Sequence, residues 1–180
     1  MKSEKLIVSK FLSFVLRHKP EEIELFLDEN GWANIEDLLG KSAKAGNNFT
    51  FEELEELVTT NDKKRFAFDE MKTKIRASQG HSIEVEIGYE EKIPPKILYH
   101  GTAERNVEAI LESGLQKRQR HHVHLSAETE TARNVGIRYG KPVIFEIDTE
   151  KMSAENYKFY ISANGVWLVD KVPPRFLEII

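Results

Sequence analysis

The sequence predicts an α+β chain in two lobes, with helices first and strands second. Apolar residues recur at helical spacing in three stretches before residue 60. Beyond residue 97, short apolar runs alternate with turn residues, as strands do. Between these regions Pro94-Pro95 interrupts both patterns, so the division is expected near Pro94, giving lobes 1–94 and 95–180.

The first helix is expected over 3–17, with Val8, Phe11, Leu12 and Val15 at i, i+3, i+4 and i+7 and Pro20 closing it. Gly31-Trp32 reads as a turn into a second helix over 34–45. Thr50 and Glu53 form a capping box for a third over 51–60, with Phe51, Leu54 and Leu57 or Val58 facing inward. Strands are expected at 65–69 and 74–77, followed by an alternating Ile83, Val85, Ile87 segment. Three helices and a short hairpin are the outline of a winged helix, an analogy of fold that carries no function by itself. The second lobe should open with a strand from Ile97 to His100 running into Gly101-Thr102. A helix follows at 103–113, stopped by Gly114. A strand over 120–126 precedes a helix near 128–138. Strands then follow at 142–148, 157–161, 165–169 and 175–180, with Asn164-Gly165 as a hairpin turn.

The chain has 180 residues, 40% of them hydrophobic, and no cysteine. Disulfides, thiol catalysis and cysteine zinc sites are therefore excluded, and a reducing, cytoplasmic setting is expected. No apolar run approaches the ~20 residues of a membrane span. Met1 to Lys5 lacks the features of a signal peptide. The net charge is −4, but unevenly spread: residues 1–94 carry 14 Lys and Arg against 19 Asp and Glu, and residues 95–180 carry 12 against 11. Any polyanion site must be a local patch on an acidic background.

Such patches exist: Arg17-His18, Lys63-Lys64-Arg65, Arg76, and Lys117 to Arg120. Arginine is always protonated and cannot act as a base, but its planar fork suits phosphate. Arg17 and His18 also have a structural explanation, since cations favour a helix C-terminus. In a strand over 120–126, Arg120, His122, His124 and Ser126 would share one face, with His121, Val123 and Leu125 on the other. His122 and His124 have zinc-ligand spacing, yet no third ligand and no HExxH motif accompany them, so no metal is expected. The chain also lacks a Gly-x-Ser-x-Gly elbow, a Gly-x-Gly-x-x-Gly loop and a Walker loop.

In order along the chain stand Ser9-Lys10-Phe11-Leu12-Ser13, Leu16-Arg17-His18-Lys19-Pro20, Gly31-Trp32, Lys63-Lys64-Arg65-Phe66 and Arg76-Ala77-Ser78-Gln79-Gly80-His81-Ser82. Leu98-Tyr99-His100-Gly101-Thr102, Arg120 with His122-Val123-His124-Leu125-Ser126, and Asn164-Gly165-Val166-Trp167-Leu168 complete the set. Taken together they closely resemble the RNA 2′-phosphotransferase family of the Tpt1/KptA type. The resemblance implies an RNA-binding, winged-helix-like first lobe and an NAD-binding second lobe of ADP-ribosyltransferase-like fold. It implies that NAD is consumed to remove an internal 2′-phosphate from RNA, chemistry that belongs to RNA processing such as tRNA splicing. The family's essential Arg-His-Arg-Arg set falls on Arg17, His18, Arg65 and Arg120, and its NAD side on His100, Gly101, Thr102, His124 and Ser126. Lys63 and Arg76 are weaker candidates for RNA phosphate. The partners expected are NAD and 2′-phosphorylated RNA, with no membrane and no obligate protein partner.

The residues agree with that chemistry. A phosphate nucleophile is already ionised, and nicotinamide leaves as a neutral group, so the first step needs neither base nor acid. The protein must align two anions and stabilise charge, a task for arginines converging on one cleft between the lobes. His18 is the one member of the set that can move a proton near neutral pH. Two alternatives compete: a mono-ADP-ribosyltransferase acting on protein or on nucleic-acid terminal phosphates, and a winged-helix binding protein without activity. The former expects a late catalytic glutamate, whereas between Asn164 and Lys171 the only acid is Asp170.

Overall fold

The computed structural model describes residues 2–180, with side chains from Lys5 onward, so part of the Met1 to Lys5 stretch lies outside the described residues. The chain forms two compact units, Met1–Gly88 and Tyr89–Ile180, in a mixed α+β arrangement.

In the first unit α1 (Lys2–Arg17) buries Leu12, Val15 and Leu16 fully, with Val8 and Phe11 packed beside them, the face that the spacing predicts. A short strand β1 (Ala33–Asn34) leads into α2 (Ile35–Lys44), whose N-cap Asn34 accepts from the Asp37 backbone N–H. Helix α3 (Phe51–Thr59) starts at the Thr50–Glu53 capping box, with both reciprocal bonds made. Strands β2 (Phe66–Phe68) and β3 (Lys74–Ala77) form a hairpin whose loop is tied by the Asp69 carboxylate to the N–H groups of Thr73 and Lys74, both at 2.7 Å. The sheet order is β1-β3-β2, and Leu38, Leu54, Phe66 and Ile75 complete the core with α1. Residues 83–87 alternate as expected and bury Val85, but they form no strand. They are held by individual bonds instead, Asn30 Nδ2 to the Glu86 carbonyl and the Glu86 N–H to the Glu29 carbonyl.

The second unit contains two antiparallel sheets. One is β12-β8-β5, from β5 (Ile97–Ala103), β8 (Pro142–Asp148) and β12 (Leu177–Ile179). The other is β4-β9-β10-β7, from β4 (Glu90–Glu91), β7 (Val123–Leu125), β9 (Phe159–Ile161) and β10 (Trp167–Val169). A small pair joins β6 (Leu115–Gln116) to β11 (Lys171–Val172). The two larger sheets meet at one antiparallel bridge, Tyr99 with Ser126, each N–H donating to the other's carbonyl at 2.8 Å. Helices α4 (Val107–Ser113), α5 (Thr129–Gly136) and α6 (Thr149–Ala154) complete the unit. Its core includes Leu98, Val123, Leu125, Phe145, Ile147, Phe159 and Trp167.

The division falls six residues before the proline pair that marked it in the sequence. Glu90 and Glu91 pair with Ile161 and Tyr160 on β9, and the Thr149 hydroxyl donates to the Pro95 carbonyl, so this stretch is bound into the second unit. Strand β7 is shorter than the alternation suggested, because the chain turns at 117–120: Arg118 has φ 53° and the Arg120 N–H donates to the Lys117 carbonyl.

Gly101 is required by packing. A Cβ there would sit 1.6 Å from the Ala132 carbonyl oxygen of α5, a backbone atom that cannot rotate away. Gly101→Ala should therefore cost at least about 2–3 kcal/mol of unfolding free energy in urea. Gly40→Ala, on an open face of α2, should gain about 0.5–1 kcal/mol. Equal denaturation midpoints for Gly101→Ala and the parent would refute the close packing of α5 on β5.

Candidate functional site

Three of the candidate residues gather in the first unit. Arg17 ends α1, its Nη2 donates to the Arg65 carbonyl at 3.3 Å, and its guanidinium lies 5.8 Å from the centre of the Phe66 ring. The Arg17 carbonyl, left over at the helix end, accepts from the Ser82 N–H at 2.9 Å. The Ser82 hydroxyl lies 2.9 Å from His18 Nδ1, fixing the ring's orientation. Ser78 ties the same loop to the strand entry: its N–H donates to the Arg65 carbonyl and its hydroxyl to that of Lys64. Helix end, strand entry and the 78–82 loop are thus cross-linked around Arg17, His18 and Arg65. His18 and Arg65 also line one groove beside α1. Ser82 is visible in the sequence only as the end of the Arg76-to-Ser82 motif; its contact with His18 spans 64 positions and follows no periodicity.

The weaker phosphate candidates are Lys63 and Arg76. Lys63 lies in the turn after α3, where its N–H donates to Asn61 Oδ1. Arg76 packs its guanidinium 4.5 Å over the Trp32 ring and donates from Nη1 to the carbonyls of Asn30 and Ile87. That arrangement clamps the 83–87 segment to the Gly31-Trp32 turn.

The second unit brings together His100, Arg120 and His124. Across the Tyr99–Ser126 bridge, His100 Nδ1 lies 3.1 Å from the His124 carbonyl. A carbonyl only accepts, so His100 carries its proton on Nδ1 and presents Nε2 as an acceptor. Arg120 Nη1 lies 2.9 Å from His124 Nδ1. Guanidinium only donates, so His124 Nδ1 accepts and its proton is on Nε2. Neighbouring strands thus hold two neutral imidazoles in opposite tautomers. Ser126 contributes through its backbone, in the bridge itself. Gly101 admits α5, and Thr102 is buried with its hydroxyl accepting from Asn106 Nδ2 at 3.0 Å.

His122 takes no part in this group. Its ring packs between Tyr89 and Tyr160, with both centroids at 5.6 Å. Burial first, then the charges of His121 and Lys117, push it below the ordinary histidine range. Among the described residues no three His, Asp or Glu are grouped to hold a metal. Asp170, the late acid, is engaged by Lys117 Nζ at 2.7 Å, and this bond holds its carboxyl below the usual range.

Residues 3–171 match the model of the family described as RNA 2′-phosphotransferase, Tpt1 / KptA family. The chain belongs to that family. Its relatives include a probable RNA 2′-phosphotransferase of Fusobacterium nucleatum, 56% identical over 172 residues, 95% of this chain and 96% of the relative. One from Hahella chejuensis is 55% identical over 96% of this chain and 92% of its own length. Another from Pseudomonas fluorescens is 50% identical over 99% of this chain and the whole of its own length. The matched span contains every candidate residue of this RNA 2′-phosphotransferase family member, from Arg17 to Ser126.

Burial, outweighing its bond to the His124 carbonyl and reinforced by the Arg120 charge, holds His100 below its ordinary value near 6.5. The unfolded chain takes up this proton as pH falls through about 6.5, while the folded chain does so only at lower pH. The residue therefore contributes stability above that value and loses it as pH falls towards the folded pKa. From about pH 7 to about pH 5.5 the unfolding free energy should drop more steeply than in His100→Asn, which retains a donor for the carbonyl but does not titrate. Parallel curves for the two proteins would show that His100 is not held neutral by the fold.

Proposed function

We propose that this chain is an NAD-dependent RNA 2′-phosphotransferase that removes an internal 2′-phosphate from RNA in the cytoplasm. An oxygen of the 2′-phosphate attacks C1″ of the nicotinamide ribose, the C1″–N bond breaks, and nicotinamide leaves neutral. The resulting RNA-2′-phospho-ADP-ribose is then cleaved by its own ribose 2″-hydroxyl, which attacks phosphorus. The phosphorus–O2′ bond breaks, the proton passes to the RNA 2′-oxygen, and ADP-ribose 1″,2″-cyclic phosphate is released.

The observation that carries this reading is the grouping of Arg17, His18 and Arg65 by bonds among α1, the start of β2 and the 78–82 loop. Three segments distant in sequence are cross-linked where two guanidinium groups and an imidazole can meet one anion. In this reading Arg120 acts on the same phosphate, and His18 orients it or protonates the departing 2′-oxygen. The first unit is a winged-helix-like RNA lobe and the second an ADP-ribosyltransferase-like NAD lobe. On the NAD side His100, Gly101, Thr102, His124 and Ser126 serve the nicotinamide riboside portion. Support comes from the acceptor on His100 and the donor on His124, a pairing suited to ribose hydroxyls and a carboxamide. His124 in addition holds the Arg120 guanidinium. Protein modification is disfavoured because Asp170 is engaged by Lys117.

The test uses NAD and an oligonucleotide bearing one internal 2′-phosphate, with excess EDTA present. One nicotinamide should be released per 2′-phosphate lost, and inorganic phosphate should not form. Arg120→Lys should lower the rate by about a hundredfold, because a point charge loses the two-pronged contact. Dephosphorylation without NAD, or a requirement for zinc after chelation, would defeat the proposal.

A further inference from the structure

Helix α1 has a second face that its packing does not use. Val8, Phe11, Leu12 and Val15 go to the core, while Leu6, Lys10, Phe14 and His18 recur every four residues along another side, with Ser13 beside Phe14. With Ser9 and Arg65 these residues line a groove that runs along the helix to His18. No acidic side chain lines it, on a half of the chain where acids outnumber bases. Phe14 and Leu6 are 43% and 55% exposed. Ser13 spends its hydroxyl on the Ser9 carbonyl, leaving a neutral wall. Among the described residues Lys10 makes no ion pair, whereas Lys5, Lys41, Lys72 and Lys74 of the same unit each meet a carboxylate.

The groove is therefore cationic at Arg65, beside His18, aromatic at Phe14 along its middle, and cationic again at Lys10. An occupant complementary to it has two anions separated by an apolar ring system, which describes a stretch of single-stranded nucleic acid. Eight residues of helix put Lys10 about 12 Å along the axis from His18. The 2′-phosphate and the phosphodiester of one ribose lie closer together than that, so Lys10 meets a phosphate belonging to a neighbour.

We infer that the α1 groove is a subsite for the nucleotide adjacent to the 2′-phosphorylated one in the RNA, with its base on Phe14 and its phosphodiester on Lys10. This rests on the functional reading above and extends it: the protein recognises a neighbouring nucleotide in addition to the phosphate it removes. The subsite tolerates any base, because a stacking contact uses the ring face and reads no hydrogen-bonding edge.

The test pairs changes in protein and RNA. The RNAs carry one internal 2′-phosphate. One is intact, a second has an abasic residue on either flank in turn, and a third has a neutral methylphosphonate link there. Affinity is measured without NAD, and turnover with it. On one flank, base removal should weaken binding to the wild type about tenfold and binding to Phe14→Ala hardly at all. The neutral link should cost the wild type a similar factor and Lys10→Gln little. Lys10→Gln should also reduce the slope of log K against log salt by about 0.7, the loss of one contact to single-stranded phosphate. Independent effects on both flanks, an unchanged salt slope, or a raised KM for NAD with RNA affinity intact would overturn the subsite while leaving the functional reading standing. A wild-type protein inert on the intact RNA would overturn both. Lys10 and Phe14 are surface residues, and unchanged melting of the variants excludes misfolding as the cause.

Discussion

The bridge between Tyr99 and Ser126 is the joint on which the second unit depends. Two sheets with separate partners are joined in their backbone by this one residue pair and its two hydrogen bonds, while Leu98 and Phe145 of one share a core with Val123, Leu125 and Trp167 of the other. Each such bond contributes only about 1 kcal/mol. His100 adds a third bond, donating across the junction to the His124 carbonyl of β7, two residues before Ser126. On the other side of β5, Gly101 lets α5 approach the strand closely enough to cover it. The same junction sets the chemistry. It fixes which nitrogen of His100 bears a proton, and His124 in turn holds Arg120 at the turn before β7. A displacement at this joint would alter the fold, both tautomers and the guanidinium together.

The first unit solves a similar problem at a helix end. The last carbonyls of α1 lack intrahelical partners, and the one at Arg17 is satisfied by Ser82. Because the Ser82 side chain also meets His18, the bond that caps the helix also orients the imidazole. Arg76 contributes from a distance. By clamping Ile87 and Asn30 against Trp32 it anchors the far end of the segment that carries Ser82.

Much of this was legible in the residues. The α1 stripe, the Thr50–Glu53 capping box and the Asn164-Gly165 hairpin were readable because local spacing determines them. The ordered motifs pointed to the family for a different reason, since chemistry restricts residue type at fixed places. What escaped was long-range. Periodicity could not show that Arg76 would be taken up by two carbonyls and an indole, or that Asp170 would meet Lys117. The strand over 120–126 looked longer than β7 because alternation persists in sequence through residues that the turn at Arg118 removes from the sheet. Helix α6 was missed because six residues are too few to display a helical period, and its cap, Asp148, closes the preceding strand. His-Gly-Thr was readable as a motif, but the packing demand on Gly101 appears only once α5 is seen against it.

The proposed reaction asks little covalent chemistry of the protein. Its nucleophiles are both substrate atoms, first a phosphate oxygen and then the ribose 2″-hydroxyl, which the first step leaves intact. Arginines and histidines suffice for such a route, and these are what the two units hold in fixed orientation. The most direct measurement uses an NAD analogue whose nicotinamide ribose lacks the 2″-hydroxyl, with product analysis of a 2′-phosphorylated RNA. Nicotinamide should still be released, and the RNA should accumulate as a stable 2′-phospho-linked deoxy-ADP-ribose adduct with no free 2′-hydroxyl. Complete release of dephosphorylated RNA from the analogue would mean that water or a side chain attacks phosphorus, and would contradict the account.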